Sequence, residues 1–284
     1  MFGRIRMKSA SILFFAILLW SPASWANQGQ WGGFFYLFPK SGAEFPAGAR
    51  SSAAKQLGSI GENFGNDFNP EKGRVESIQY YTAVSYSLDR KPITMSPAAL
   101  IRVESMRRDN VENYLNQLRE ILGVFFTIES RFAVTRQLNY TDAETLKQLK
   151  DNAPKRGKGT EQPNAVVFPL SKIPEWWALT QEKRQQYFFK DPERFGKEQM
   201  GHNEIGFLYI RQIFRKLYHS RFDDPGGDFI TYFEFSDDNL EAFNSLLEGL
   251  RNVEKNPEWK FVAEGPLFSG KRVSTPADML GAGH

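Results

Sequence analysis

MGHNEIGFLYIRQIFRKLYHS, residues 200–220, is followed across the turn DDPGG (223–227) by DFITYFE, residues 228–234. Ile205, Phe207, Tyr209, Ile210, Ile213, Phe214 and Tyr218 are β-branched or aromatic, the side chains that fit a pleated, half-buried surface. Read with a period of two, the run places Phe207, Tyr209, Arg211, Ile213, Arg215, Leu217 and His219 on one face. The pattern predicts a strand over Phe207–Tyr218, reversed at DDPGG and paired with a second strand over Phe229–Phe235. Arg215 then shares a face with apolar neighbours, which is costly for an unpaired guanidinium and asks for an anionic partner. Arg211 and Arg215 are also four residues apart, so a solvated helix face fits the same pair, but the strand-forming composition speaks against it.

Working outward, the second half reads strand Ala165–Leu170, helix Trp176–Phe189, the two central strands, helix Asn239–Val253 and strand Trp259–Phe268. Leu240, Phe243, Leu246, Leu247 and Leu250 make one apolar stripe on the last helix, a face meant for the core. The first half has the same layout. WGGFFYLF (31–38) is a strand, Ala49–Phe64 a Gly-interrupted helix, Val75–Leu88 and Ala98–Ser105 neighbouring strands, and Phe125–Leu138 a last strand. Between these, Asn110–Leu122 carries Val111, Tyr114, Leu115, Leu118, Ile121 and Leu122 at helical spacing, with Asp109 as its N-cap. Strand, helix, strand, strand, helix, strand is the order of a ferredoxin-like unit. The expectation is an α+β protein of two such repeats, residues 27–150 and 164–284, each with an antiparallel sheet and helices on one side. The Pro, Gly and charge-rich run DNAPKRGKGTEQP (151–163) links them as an exposed loop.

The 284 residues are 41% hydrophobic and include 25 Phe, enough to bury a large core. Arg4, Arg6 and Lys8 precede the apolar run Ile12–Trp20 and then SPASWA, the layout of a secretory signal peptide cleaved after Ala26. The apolar run is far short of the roughly 20 residues a spanning helix needs, so an exported chain with no membrane span after cleavage is expected. Removing residues 1–26 takes the formal charge from +3 to zero. A neutral chain gives no general electrostatic reason to bind nucleic acid, whose recognition depends on clustered Lys and Arg, and the basic run in 151–163 reads as a solvated loop, so no nucleic-acid partner is expected.

There is no Cys, which excludes disulfides, thiolate metal sites, iron–sulfur clusters and a cysteine nucleophile. Only His202, His219 and the terminal His284 offer imidazoles, too few for a multi-histidine metal centre. A lone histidine after glycine is more often an ordinary hydrogen-bonded residue than a metal ligand. One imidazole is nevertheless enough for haem, whose porphyrin supplies the other four nitrogens.

EWW (175–177), His202, RKLYHS (215–220), DFITYFE (228–234) and LEAFNSL (240–246), most strongly within residues 164–270, resemble the chlorite dismutases. In the first half the likeness rests on strand order and on RQLNY (136–140). The resemblance implies two ferredoxin-like repeats of the dimeric α+β barrel type, with haem b in the C-terminal repeat. It implies His202 as the proximal iron ligand and Arg215 as the distal arginine, the KLYHS register selecting Arg215 over Arg211. Trp176 and Trp177 match a tryptophan pair at the haem edge and Tyr140 a tyrosine near the propionates, while His219 reads as structural. The family's glutamate on the proximal histidine stands in a Lys-Glu-Asn context; here the order is Glu254-Lys255-Asn256, which makes Glu254 the candidate. Asn203-Glu204-Ile205 also departs from the family's Thr-rich continuation.

The activity implied is conversion of chlorite to chloride and dioxygen through a transient hypochlorite held by Arg215, in the periplasm, by a homo-oligomer, a pentamer by analogy. Two other readings stay open: a peroxidase-like relative, and an exported haem-binding protein without chlorite turnover. Coproporphyrin-decarboxylating relatives are cytoplasmic and generally lack the distal arginine, so the signal peptide and Arg215 both count against that branch.

Overall fold

The computed structural model describes residues 29–64, 77–136, 162–224 and 227–282, together with 144, 147, 151, 152 and 154. Residues 1–26, expected as a signal peptide, Tyr140, His284 and most of residues 151–163, expected as a linker, lie outside the described residues. In chain order the strands are β1 (Trp31–Pro39), β2 (Ser77–Leu88), β3 (Lys91–Pro92), β4 (Ala99–Ser105), β5 (Phe126–Val134), β6 (Asn164–Lys172), β7 (Ile213–His219), β8 (Phe229–Phe235), β9 (Val262–Glu264) and β10 (Leu267–Val273). The helices are α1 (Ala47–Phe64), α2 (Arg108–Leu122), α3 (Pro174–Ala178), α4 (Gln181–Gln185), α5 (Pro192–Phe195), α6 (His202–Leu208), α7 (Leu240–Arg251) and α8 (Pro276–Leu280).

Eight antiparallel strands form a closed barrel in the order β10-β2-β4-β1-β5-β7-β8-β6, with β6 returning to β10 through Phe268↔Val167 to Lys271↔Asn164. Each half of the chain contributes four strands with its second, third, first and fourth side by side. The halves meet at two seams: β10 pairs with β2 from Leu267↔Ser87 to Val273↔Tyr80, and β5 pairs with β7, among the described residues, at Val134↔His219.

The alternation of β1 shows why its sequence is almost continuously apolar: it is buried on both faces. Phe35 and Leu37 face outward into a core with Leu57 of α1 and Val111, Tyr114, Leu115 and Leu118 of α2. Phe34, Tyr36 and Phe38 face inward and share the barrel interior with Tyr81, Leu100, Tyr218, Tyr232 and Phe268. On the C-terminal side, Val166, Phe168, Phe233 and Phe235 face out against Ile205 of α6 and the α7 stripe Phe243, Leu246, Leu247 and Leu250. Helices therefore cover the outside of the sheet on both halves, as expected of an α+β protein.

Several expected elements differ. The strand expected over Phe207–Tyr218 begins only at Ile213, and His202–Leu208 is helix. Gly201 precedes that helix at φ 83°, and Ile205 turns back onto α7, where a Cβ at Gly249 would meet its Cγ2 at 3.1 Å. Packing against a neighbouring helix has overridden the strand propensity of the aromatic run. The helix expected over Trp176–Phe189 is two short helices divided at Leu179–Thr180, with Thr180 capping α4 through Lys183 N. Trp259–Phe268 is a 3-10 turn (Pro257–Phe261) followed by β9 and the start of β10. The N-cap of α2 is Arg107 in extended conformation, and Asp109 sits in the first turn instead.

Candidate haem and oxyanion site

His202 opens α6, and the residue before it has to be glycine. A Cβ on Gly201 would stand 2.7 Å from the carbonyl of Phe189, and its φ is one that L side chains rarely adopt. The α6 backbone is tied to the preceding segment by Asn203 N to Phe188 O at 3.0 Å. Met200 N and Gly201 N both donate to Lys255 O, at 2.9 and 3.1 Å, which draws the 252–256 loop alongside. The imidazole is thus placed between two parts of the chain more than 50 residues apart.

His202 Nδ1 lies 2.7 Å from Glu258 Oε2, and Glu258 Oε1 accepts from Lys172 Nζ at the end of β6. His202 Nε2 lies 2.8 Å from Arg215 Nη2. Since a guanidinium only donates, Nε2 is the accepting nitrogen and Nδ1 carries the proton that goes to Glu258. The result is a row from Lys172 through Glu258 and His202 to Arg215, all within the C-terminal half. Burial alone would push the Glu258 carboxyl up, but His202 and Lys172 beside it hold it well below the ordinary carboxylate range. Burial lowers His202 against the attraction of Glu258, and Arg215 lowers it further. Lys172 and Arg215 are likewise pulled down by burial and raised in part by Glu258. Arg215 stays cationic because even a lowered guanidinium titrates far above neutral pH.

The carboxylate on His202 is Glu258, and the expectation for Glu254 is corrected. Asn252 Oδ1 accepts from Glu254 N at 2.9 Å and from Lys255 N at 3.0 Å, so the chain turns there with both side chains exposed. Glu258 enters from the following 3-10 turn and is 3% exposed. Lys172 was not singled out by sequence either; it lies at the end of a strand expected to stop at Leu170. The only local signal for Glu258 is an acid held between Pro257 and Trp259, just ahead of the strand expected from Trp259.

Arg215 faces outward from β7, as the period of two predicts from Ile213 onward, and its guanidinium lies 5.8 Å from the Phe233 ring. Arg211 is exposed in the turn before β7. Trp176 is buried against Tyr187, Phe188 and Phe261, with Lys172 Nζ 4.4 Å from its ring centre. It touches the row through Lys172. Trp177 points elsewhere: its Nε1 donates to Asp228 at 3.3 Å, its ring stacks on Phe229, and the Arg221 guanidinium lies 3.6 Å above it. His219 packs edge-on against Phe229 and is apart from the row.

The donor set fits one iron porphyrin better than a bare metal ion. Among the described residues no group of three or more His, Asp or Glu could hold a metal. His202 nevertheless has the surroundings of a metal-ligating imidazole, with Nδ1–H on a carboxylate and Nε2 as the basic nitrogen. Arg215 rests on that nitrogen at 2.8 Å, so its guanidinium would have to swing off Nε2 for an iron to bind there. Phe188 beside the imidazole, 5.3 Å ring to ring, adds an apolar wall suited to a macrocycle.

The family model for chlorite dismutase matches residues 99–273, which include every member of this row, and the chain belongs to that family. The chlorite dismutase of Ideonella dechloratans is 35% identical over 137 residues, covering 45% of this chain and 40% of that protein, so the match spans less than half of the relative's length. Among solved structures, the chlorite dismutase of Candidatus Nitrospira defluvii in complex with imidazole superposes with a TM-score of 0.67 at 22% identity, over 89% of this chain and 94% of the other. A mutant of the same protein in complex with cyanide gives 0.65 at 22% identity over the same shares. At these identities the likeness is one of fold.

Proposed function

We propose that the chain binds haem b through His202 and converts chlorite to chloride and dioxygen, with Arg215 retaining a transient hypochlorite. The observation that carries this reading is the row itself: an imidazole held by Glu258 on Nδ1, with a half-buried guanidinium on its Nε2 side. A haem held by His202 would supply the redox chemistry for moving oxygen between chlorine species, and the overall change from ClO2− to Cl− and O2 balances with no net protons. Glu258 holds the Nδ1 proton of His202, fixes the tautomer and makes Nε2 a stronger donor to metal. Lys172 keeps Glu258 ionised and oriented. Arg215 offers a fixed charge and several N–H groups to a small oxyanion, in surroundings where water competes weakly. Trp176 walls the row beneath Lys172, and Trp177, half-buried on Asp228, lines the neighbouring surface.

The same reading takes the two halves as ferredoxin-like repeats, supported by the identical order of strands in each. It takes residues 1–26 as a signal peptide and the mature chain as a periplasmic homo-oligomer, a pentamer by analogy. No described helix is long and apolar enough to cross a membrane. Tyr140 remains a candidate at the propionates on the resemblance alone. The test is spectroscopic and then gasometric: haem-loaded protein shows a Soret band and releases oxygen on addition of chlorite. A Soret band without oxygen leaves an exported haem-binding protein, and no Soret band overturns the reading.

A further inference from the structure

Helix α6 begins without a capping side chain. Its N-cap is Gly201, so the first amides of the helix are satisfied from elsewhere in the chain. They meet the segment between α4 and α5: Asn203 N donates to Phe188 O at 3.0 Å and His202 N to Tyr187 O at 3.4 Å. The same segment carries Phe188, whose ring stands 5.3 Å from the imidazole. The course of the chain at residues 187–191 therefore decides both how α6 starts and what lies beside His202.

One buried side chain clasps that segment. Gln199, 1% exposed, accepts from Asp191 N at 2.6 Å through Oε1 and donates from Nε2 to Phe189 O at 2.9 Å. A single amide thus meets a backbone donor and a backbone acceptor two residues apart, a task its carbonyl and NH2 groups suit together. The backbone of Gln199 leads through Met200 into Gly201, where a Cβ would stand 2.7 Å from the same Phe189 carbonyl. The two runs of chain are held in contact at both points, and a side chain at 199 with no amide would release both ends of the clasp.

We propose that Gln199 is a positioning residue for His202: by clasping residues 189–191 it holds the Tyr187 and Phe188 carbonyls that cap α6, and so sets the direction in which the imidazole leaves the helix. The proposal rests on His202 being the iron ligand proposed above. Glu258 fixes the ring from its Nδ1 side, and Gln199 fixes the backbone from which the ring departs. Loosening the clasp keeps both His202 and Glu258 but spreads the ring over a wider range of directions, which weakens the bond from Nε2 to iron.

The test compares Gln199→Met, which keeps the length of the side chain and loses the amide, with Gln199→Asn, whose amide is one methylene short of spanning both partners. Val111→Ala, in the core of the N-terminal half, controls for lowered stability alone. Two measurements are made on the haem-loaded protein: hydrogen exchange at residues 202–205 by mass spectrometry, and the iron–histidine stretching band of the ferrous form by resonance Raman. In Gln199→Met exchange at 202–205 should quicken and the band should broaden and move to lower frequency. Haem should also be lost roughly tenfold faster, the lower end of what outer partners of a metal ligand contribute. Gln199→Asn should fall between Gln199→Met and the parent, and Val111→Ala should lower the melting temperature with none of these changes. A Gln199→Met protein that melts lower but keeps the parent's exchange rates, or keeps the parent's iron–histidine band, would overturn the proposal by making Gln199 structural only. If Gln199→Met fails to fold, Gln199→Asn decides by the same criteria. Haem-loaded parent protein without an iron–histidine band would instead overturn the functional reading above; the exchange rates, which do not depend on iron, then decide alone whether Gln199 holds the start of α6.

Discussion

Glu258 Oε2 stands 2.7 Å from His202 Nδ1, while Glu254, four residues earlier, is turned to solvent. A carboxylate there raises the basicity of Nε2 and fixes the ring. Glu258→Gln should weaken haem binding by roughly 10–100-fold and raise the iron potential, measured by haem titration and spectroelectrochemistry. It also strands Lys172, buried beside it, so a lower melting temperature accompanies the change. Pairing Glu258→Gln with Lys172→Met relieves that cost and should restore melting without restoring the potential. Glu254→Gln should alter neither quantity.

The two described histidines separate ligand from bystander. His202→Ala should lose tightly bound haem, or regain it on addition of free imidazole. His219→Ala is the control and should keep its Soret band, since His219 packs on Phe229 at the far end of β7. A His202→Ala protein with full haem and an unchanged spectrum would remove His202 as the ligand.

His219 also gives a pH dependence. Burial, with Arg136 adding to it, brings its pKa from 6.5 down to about 4. The folded state therefore takes up the proton less readily than the unfolded chain, and the neutral imidazole's contribution to stability is complete above pH 6.5. That contribution declines as pH falls from 6.5 and is gone once pH has passed through about 4. Melting temperatures recorded across this window should fall less steeply in His219→Gln than in the parent; parallel curves would show that His219 does not titrate this way.

Much of this was legible from residues alone. Phe229–Phe235 is bounded as its composition predicts, and the α7 stripe from Phe243 to Leu250 packs as read. What escaped was decided by tertiary contact. Phe207 and Tyr209 look like strand residues, yet the chain there follows Gly201 and Ile205 into a helix on α7. Glu254 lies one residue out of the family's Lys-Glu-Asn order, and the side chain that reaches His202 is set by how Asn252 caps the turn and how the Pro257–Phe261 3-10 turn re-enters. Period and propensity do not register where a loop folds back. Nor could strand patterns show that Lys216 and Tyr218 of β7 donate to the Glu104 carboxylate of β4.

Arg215 carries the sharpest prediction. Its guanidinium is desolvated, rests on His202, and no carboxylate among the described residues bonds it directly. Replacing it with Ala leaves the imidazole free for haem but removes the group proposed to retain hypochlorite between the two halves of the reaction. Escaping hypochlorite attacks thioethers, and Met200 lies two residues from His202, partly buried at the edge of the same core. Arg215→Ala should therefore inactivate sooner during turnover, with chlorite-dependent bleaching of haem and sulfoxide on Met200 detected by mass spectrometry. Arg215→Lys keeps the charge without the planar fork of donors and should fall between the two. The deciding quantity is total oxygen released per haem before inactivation, with the parent highest, Lys intermediate and Ala lowest; three equal yields would mean that Arg215 has no part in holding the oxidant.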